Sequence, residues 1–263
     1  MKAITKKLLS EVDLFLLDMD GTLYLGNQLI GNMPETLKKL RENGKQLVYL
    51  SNNSSRSKDT YRQKLQKMGL WQDEDVIYSS ATATADYLCR NYANSTVHVL
   101  GTQALKDEFS SRGISLTDGK ADIAVLGYDT ELTYSKLCAF TDCLREGGLY
   151  FATHPDINCP TEGHPVPDAG AYIAMIEKSV GRTPSLVIGK PNPFMANELS
   201  ARLGVSLDRM AMVGDRLMTD MRFAVNAGIK SVLVYSGEAT KEEARESGMA
   251  FDYELSSLNE LFE

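Results

Sequence analysis

The sequence predicts an α/β protein: parallel sheets covered by helices, with a second α/β domain inserted into the first. Three observations carry this. Short, continuously apolar runs alternate with helical patterns along nearly the whole chain, as buried parallel strands with helical crossovers require. Several helical patterns close on glycine (Gly44, Gly69, Gly113, Gly204, Gly228), the residue that most readily adopts the left-handed C-terminal turn. Two Gly/Pro/Ser/Thr-bearing joints, around residues 75–88 and 181–193, bracket about 100 residues with strands and helices of their own, read as an inserted domain, with one continuous sheet as the alternative.

Taken in order, the strands are expected at Leu14–Leu17, Gln46–Leu50, Thr96–Leu100, Ile123–Leu126, Leu149–Ala152, Met210–Val213 and Ser231–Tyr235. The helices are expected at Met33–Asn43, Lys58–Met68, Ala83–Tyr92, Thr102–Ser111, Thr133–Glu146, Ala169–Val180, Pro193–Leu203 and Thr219–Ala227. The first domain is placed at 1–80 and 185–263, and the insertion at 81–184.

Composition narrows the partners. The 263 residues carry a net charge of −7, which offers no basic field to nucleic acid or an anionic membrane. No run approaches a membrane span, and the start lacks the shape of a signal peptide. Cys89, Cys138, Cys143 and Cys159 form no C-x-x-C pair, so reduced thiols in a cytoplasmic protein are expected.

In open parallel sheets the reactive groups gather beyond the carboxyl ends of the strands. The first strand delivers Asp18 and Asp20, followed by Gly21 and Thr22. On an extended segment, residues two apart point the same way, so both carboxylates are expected to face one point. The second delivers Ser51, Asn52 and Asn53, either a helix cap or a set of donors for phosphate oxygens. Lys190 follows an apolar run between Gly189 and Pro191, a local cation in an acidic protein. The strand Met210–Val213 delivers Asp215, with Asp220 five residues beyond.

Two carboxylates 4 Å apart repel by roughly 4 kcal/mol at an effective dielectric of 20. A cluster of Asp18, Asp20, Asp215 and Asp220 therefore calls for a cation, and all-oxygen ligands favour Mg²⁺. With that charge neutralised, one carboxylate can attack phosphorus and another can move a proton.

The ordered series Asp18-Met-Asp20-Gly-Thr, Ser51, Lys190 and Gly214-Asp215-x4-Asp220 resembles the four motifs of the haloacid dehalogenase superfamily. "DMDGTLYLGN", "SNNSSRS", "GKPNP" and "VGDRLMTD" resemble its NagD or p-nitrophenyl-phosphatase group, subfamily IIA. The resemblance implies a Rossmann-like, doubly wound core with an α/β cap of the C2 type. It implies Mg²⁺-dependent hydrolysis of a small phosphate ester, such as a sugar phosphate or nucleoside monophosphate, through an aspartyl-phosphate. Carried over, Asp18 is the nucleophile and a metal ligand. Asp20 is the acid/base and binds metal through its carbonyl. Ser51 and the Asn52 backbone hold phosphate, Lys190 neutralises charge, Asp215 binds metal, and Asp220 orients Lys190 or the metal's waters. The resemblance is also compatible with a homodimer through the cap.

Two departures stand out. Met218 occupies a position often polar in this group, and His154 stands where relatives often carry Asn. Tyr172 lies on a cap helix as either a core or a substrate-stacking residue. Two other readings share the acidic cluster: a phospho-accepting receiver-like module and a dehalogenase. The first is disfavoured by Asp20 and by chain length, the second by its having no use for Asp20 or Mg²⁺.

Overall fold

The computed structural model describes residues 3–161 and 164–263. Two compact units divide the chain. One runs up to Ser51, includes Asp59–Tyr78 and resumes at Lys190; the other comprises Asn52–Lys58 and Ser79–Gly189.

The first unit is built on a six-stranded sheet. Its strand order is Tyr253–Leu255, Lys230–Val234, Met210–Gly214, Leu14–Leu17, Gln46–Ser51 and Val76–Ser79. Leu14–Leu17 sits between Met210–Gly214 and Gln46–Ser51 and pairs in parallel with both. Its four side chains are all buried, because helices cover both faces. Each contributes about 1.5–3 kcal/mol of burial. Phe15 and Leu17 join Leu47, Tyr49, Ala211 and Val213 in one cluster. Leu14, Leu16, Val48 and Leu50, of opposite parity, are equally buried.

The second unit has its own five-stranded parallel sheet, ordered Leu186–Val187, Leu149–Ala152, Ile123–Leu126, Thr96–Leu100 and Ser115–Leu116. Alternation assigns its faces. Val97, Val99, Ile123, Val125 and Phe151 pack on one side, and Leu100, Ala124, Leu126 and Tyr150 on the other.

The structure differs from the expectation at identifiable places. Leu186–Val187, expected in the first domain, pairs with Leu149–Ala152 and so extends the second sheet. Two-residue strands such as Tyr24–Leu25 and Gln28–Leu29 are too short for a period to register. The helix expected from Thr219 is a wide π-helical turn, Leu217–Met221, followed by the helix Arg222–Ala227. The helices Ala3–Glu11 and Lys241–Glu246 were not anticipated. The second of these starts from a capping box between Thr240 and Glu243. Among the described residues no helix is long and apolar enough to cross a membrane.

Candidate active site

Strand register places the acidic residues. Leu17 pairs with Val213, and the Asp18 N–H continues the ladder to the Val213 carbonyl at 2.9 Å. Asp18 and Asp215 therefore leave neighbouring strands at the same sheet edge. Ser51, buried, ends the strand on the other side.

Asp215 is held on both oxygens. Oδ1 accepts the Thr22 hydroxyl at 3.0 Å and Oδ2 the Glu238 N–H at 2.7 Å. Two glycines make room for it: a Cβ at Gly21 would lie 2.2 Å from Oδ2, and one at Gly237 1.9 Å. Gly21 also has φ of +86°, a backbone that side chains other than glycine's disfavour. The turn after the strand Lys230–Val234 is tied to Gly21, because the Ser236 hydroxyl donates to the Gly21 carbonyl at 2.8 Å.

Asp220 arrives from the π-helical turn. The approach is so close that a Cβ at Gly214 would sit 2.4 Å from its carboxylate. The Arg216 N–H donates to its Oδ2 at 3.2 Å. Lys190, 1 % exposed, donates to Asp220 Oδ1 and Asp18 Oδ1, both at 2.6 Å. The second oxygen of Asp18 has no hydrogen-bond partner among the described residues.

Ligand atoms of Asp18, Asp215 and Asp220 lie within 4.8 Å of one another. Burial, the largest influence, pushes the Asp18 carboxyl up to about 8. Lys190 opposes this, and Asp220 and Asp215 reinforce it. Burial and then Asp220 raise Asp215 to about 6, against the Glu238 N–H and the Thr22 hydroxyl. Lys190 responds in the opposite sense. Burial works against its ammonium, but Asp18 and Asp220 outweigh burial and hold its pKa above the ordinary lysine value. One lysine thus faces three carboxylates, two buried and one part-buried. The cluster fits a hard divalent cation, which its oxygen donors suit.

Asp20 departs from the expected convergence. Its carboxylate is outside that three-residue group and its side chain is 46 % exposed. Oδ1 faces the Gly26 N–H at 3.4 Å, and Oδ2 faces Lys64 at 3.9 Å. The Lys64 ammonium itself stands 3.7 Å from the centre of the Tyr24 ring, a cation–π contact. The two-residue parity argument fails here because the strand stops at Leu17 and the chain is already turning at Gly21.

Asn52 and Asn53 do not cap a helix: the next one begins at Lys58. Asn53 folds back locally, its Oδ1 accepting the Ser55 N–H at 2.9 Å. Asn52 belongs to the second unit and donates to Asp156. His154 is fully buried there, Nε2 lying 2.9 Å from Asp168 and Nδ1 2.9 Å from Thr153 Oγ1. Tyr172, part-buried, packs against that unit's core and donates to the Asp129 carbonyl at 3.2 Å. Met218 is 65 % exposed.

Sequence reasoning missed the turn Ser236–Glu238 and Lys64. The first had a signal, a Ser-Gly pair directly after an apolar strand at the carboxyl edge. Lys64 lies on a polar helix and gave none.

Residues 15–115 match the model of the haloacid dehalogenase-like hydrolases, and residues 187–261 match a HAD-hydrolase-like model. An acid sugar phosphatase of Staphylococcus epidermidis is 32 % identical over 246 residues, spanning 93 % of this chain and 95 % of the relative. The chain belongs to the haloacid dehalogenase-like hydrolases. Within them it is a NagD-like phosphatase. The crystal structure of a 4-nitrophenylphosphatase from Thermotoga maritima superposes with a TM-score of 0.93 at 42 % identity, covering 97 % of both chains. A glycerol phosphate phosphatase from Mycobacterium tuberculosis, solved in complex with magnesium, gives 0.89 at 29 % identity over 97 % of this chain and 77 % of its own. For a haloacid dehalogenase-like phosphatase, the carboxylates around Lys190 lie at the sheet edge where this fold class assembles its chemistry.

Proposed function

We propose that this phosphatase is Mg²⁺-dependent and hydrolyses a small phosphorylated metabolite, a sugar phosphate or nucleoside monophosphate, through a phosphoryl-Asp18 intermediate. The observation that carries the reading is the posture of Asp18. One oxygen is pinned to Lys190 at 2.6 Å, and the other has no partner among the described residues, as an in-line nucleophile requires. The acid sugar phosphatases and the glycerol phosphate phosphatase among its relatives support a small ester as substrate.

Asp18 attacks phosphorus, and the P–O bond to the leaving alcohol breaks as Asp20 gives that oxygen a proton. Asp20 then takes a proton from water, whose oxygen attacks the phosphoryl group and releases phosphate and free Asp18. Ser51 and the Asn52 backbone hold phosphate oxygens. Lys190 balances charge on Asp18 and the transferring group, and Asp220 keeps Lys190 in place. Asp18, Asp215 and the Asp20 carbonyl would hold Mg²⁺, which supplies charge neutralisation for the phosphoryl group. The second unit is read as the cap that selects the leaving group.

The test is a screen of phosphorylated metabolites with Mg²⁺ and with EDTA, run beside Asp18→Asn and Asp20→Asn. Asp18→Asn should be inactive while folded. Asp20→Asn should accumulate phosphorylated protein, seen by intact mass, because its release step lacks the base. Wild-type turnover by Asp18→Asn, or full activity in EDTA, would overturn the reading.

A further inference from the structure

Beyond the strand Leu149–Ala152 the second unit carries the loop Thr153-His154-Pro155-Asp156, whose backbone is fixed from several sides. His154 is buried between Asp168 and Thr153. Asp168 accepts the Ala169 N–H at 2.6 Å at the start of the helix Ala169–Val180. The Asp156 carbonyl accepts the Gly170 N–H at 2.7 Å. A Cβ at residue 170 would lie 2.2 Å from the Pro155 oxygen, so only glycine lets helix and loop meet this closely.

On that rigid backbone Asp156 presents its carboxylate to Asn52, whose Nδ2 lies 3.3 and 3.2 Å from the two oxygens. Asn52 is gripped a second time, its carbonyl accepting the Ser80 hydroxyl. In a trans peptide the carbonyl of residue 52 and the N–H of residue 53 point in opposite directions. The Ser80 bond therefore aims the Asn53 N–H as well. A third constraint is steric: a Cβ at Gly189, the residue before Lys190, would lie 2.6 Å from Asn52 Oδ1. A charge-assisted hydrogen bond on a 6 % exposed amide fixes orientation far better than a solvated one.

We infer that Asp156, with Ser80, is a positioning residue for the phosphate-holding turn Ser51–Asn53, setting the direction of its amides before substrate arrives. This rests on the reading of Ser51 and Asn52 as phosphate ligands. Phosphate oxygens are held in the ground state and the transition state alike, so loosening the turn weakens binding more than it slows chemistry.

The experiment measures kcat, KM for p-nitrophenyl phosphate, Ki for inorganic phosphate and melting temperature, at saturating Mg²⁺, for Asp156→Ala, Asp156→Asn, Ser80→Ala and Ser51→Ala. Asp156→Ala should raise KM and Ki together by about tenfold, with kcat within about threefold of wild type. Asp156→Asn, which keeps one acceptor oxygen, should fall between; Ser80→Ala should shift both constants by about threefold. Unchanged KM and Ki in the 156 and 80 variants, with both raised in Ser51→Ala, would overturn the positioning role alone. A lower kcat and melting temperature at constant KM would reduce Asp156 to a structural residue. If Ser51→Ala raises neither constant, the phosphate assignment of the turn falls, and this inference with it. Should Asp156→Ala fail to fold, Asp156→Asn and Ser80→Ala decide the question.

Discussion

Lys190 and Asp220 form a buried ion pair, Nζ to Oδ1 2.6 Å, with side chains 2 % and 0 % exposed. The same ammonium holds Asp18. In the proposed mechanism Asp220 would therefore act on Asp18 through the lysine rather than through the substrate. Asp220→Asn keeps a neutral acceptor for Lys190 and is expected to lower kcat by about 10²-fold, with little change in KM. Asp220→Ala leaves the ammonium short of one buried partner and should also cost about 3 kcal/mol of stability. Steady-state kinetics and urea unfolding of the two variants separate the effects.

Removing metal should make stability depend on pH in a definite direction. In the metal-free protein Asp18 is raised to about 8 and Asp215 to about 6 from an ordinary 3.8. Between the ordinary and the raised values the folded state binds protons that the unfolded state has released. Stability of the metal-free protein therefore falls as pH rises through that window. Added Mg²⁺ competes with those protons. The rise in melting temperature on adding Mg²⁺ should be larger at pH 8 than at pH 5; an equal rise at both would contradict the metal assignment.

Asp20 and Lys64 give a leaving-group prediction. A general acid matters most for a poor leaving group, an alkyl alcohol, and least for p-nitrophenolate. In kcat/KM, which reports transfer to Asp18 and not the release step common to all substrates, Asp20→Asn should lose far more on an alkyl phosphate than on p-nitrophenyl phosphate. Lys64→Met, which removes the cation facing Asp20 at 3.9 Å, should show the same bias at about fivefold. Equal losses on both substrates would deny Lys64 any hold on the acid.

Gly237→Ala tests the cradle around Asp215. Its methyl would enter to 1.9 Å from Oδ2, so the carboxylate or the turn has to move. Activity should fall at least tenfold, and the Mg²⁺ concentration for half-activation should rise. Stability should drop by about 1–3 kcal/mol.

Away from the site, Arg41 and Asp75 form the first unit's internal clasp. Arg41 donates to Asp75 Oδ1 at 3.1 Å and Oδ2 at 2.6 Å, and Asp75 also takes the Gln72 N–H at 2.8 Å. Asp75→Ala takes the carboxylate from a part-buried guanidinium that keeps only the Tyr49 hydroxyl and the Leu70 carbonyl, and should cost about 3 kcal/mol with kcat unchanged, readable by denaturant unfolding.

How much of this was legible beforehand depended on the length over which a pattern repeats. Leu14–Leu17, Ile123–Leu126 and Leu149–Ala152 are found where the apolar runs place them, because buried parallel strands need little besides apolar content. Leu186–Val187 carries too few residues to declare its sheet, and only the pairing with Phe151 and Ala152 assigns it. In the site, Asp18, Lys190, Asp215 and Asp220 could be listed from strand ends and are brought together. The direction of Asp20 could not, since a turn erases strand parity. Lys64 and Asp156 act across 44 and 104 residues of chain, distances over which one sequence holds no local signal.

The π-helical turn Leu217–Met221 gives the spacing in Gly214-Asp215-x4-Asp220 a meaning of its own. A turn one residue wider than an α-turn carries Asp220 back over Gly214, while Met218 looks outward. The intervening letters are thus a ruler: chemistry at 218 is free to drift, as a methionine there illustrates, but the count is not. Deleting Met218 would tighten the turn to ordinary α pitch and swing the following carboxylate by about 100°, disarming Lys190 although every charged residue of the motif remained.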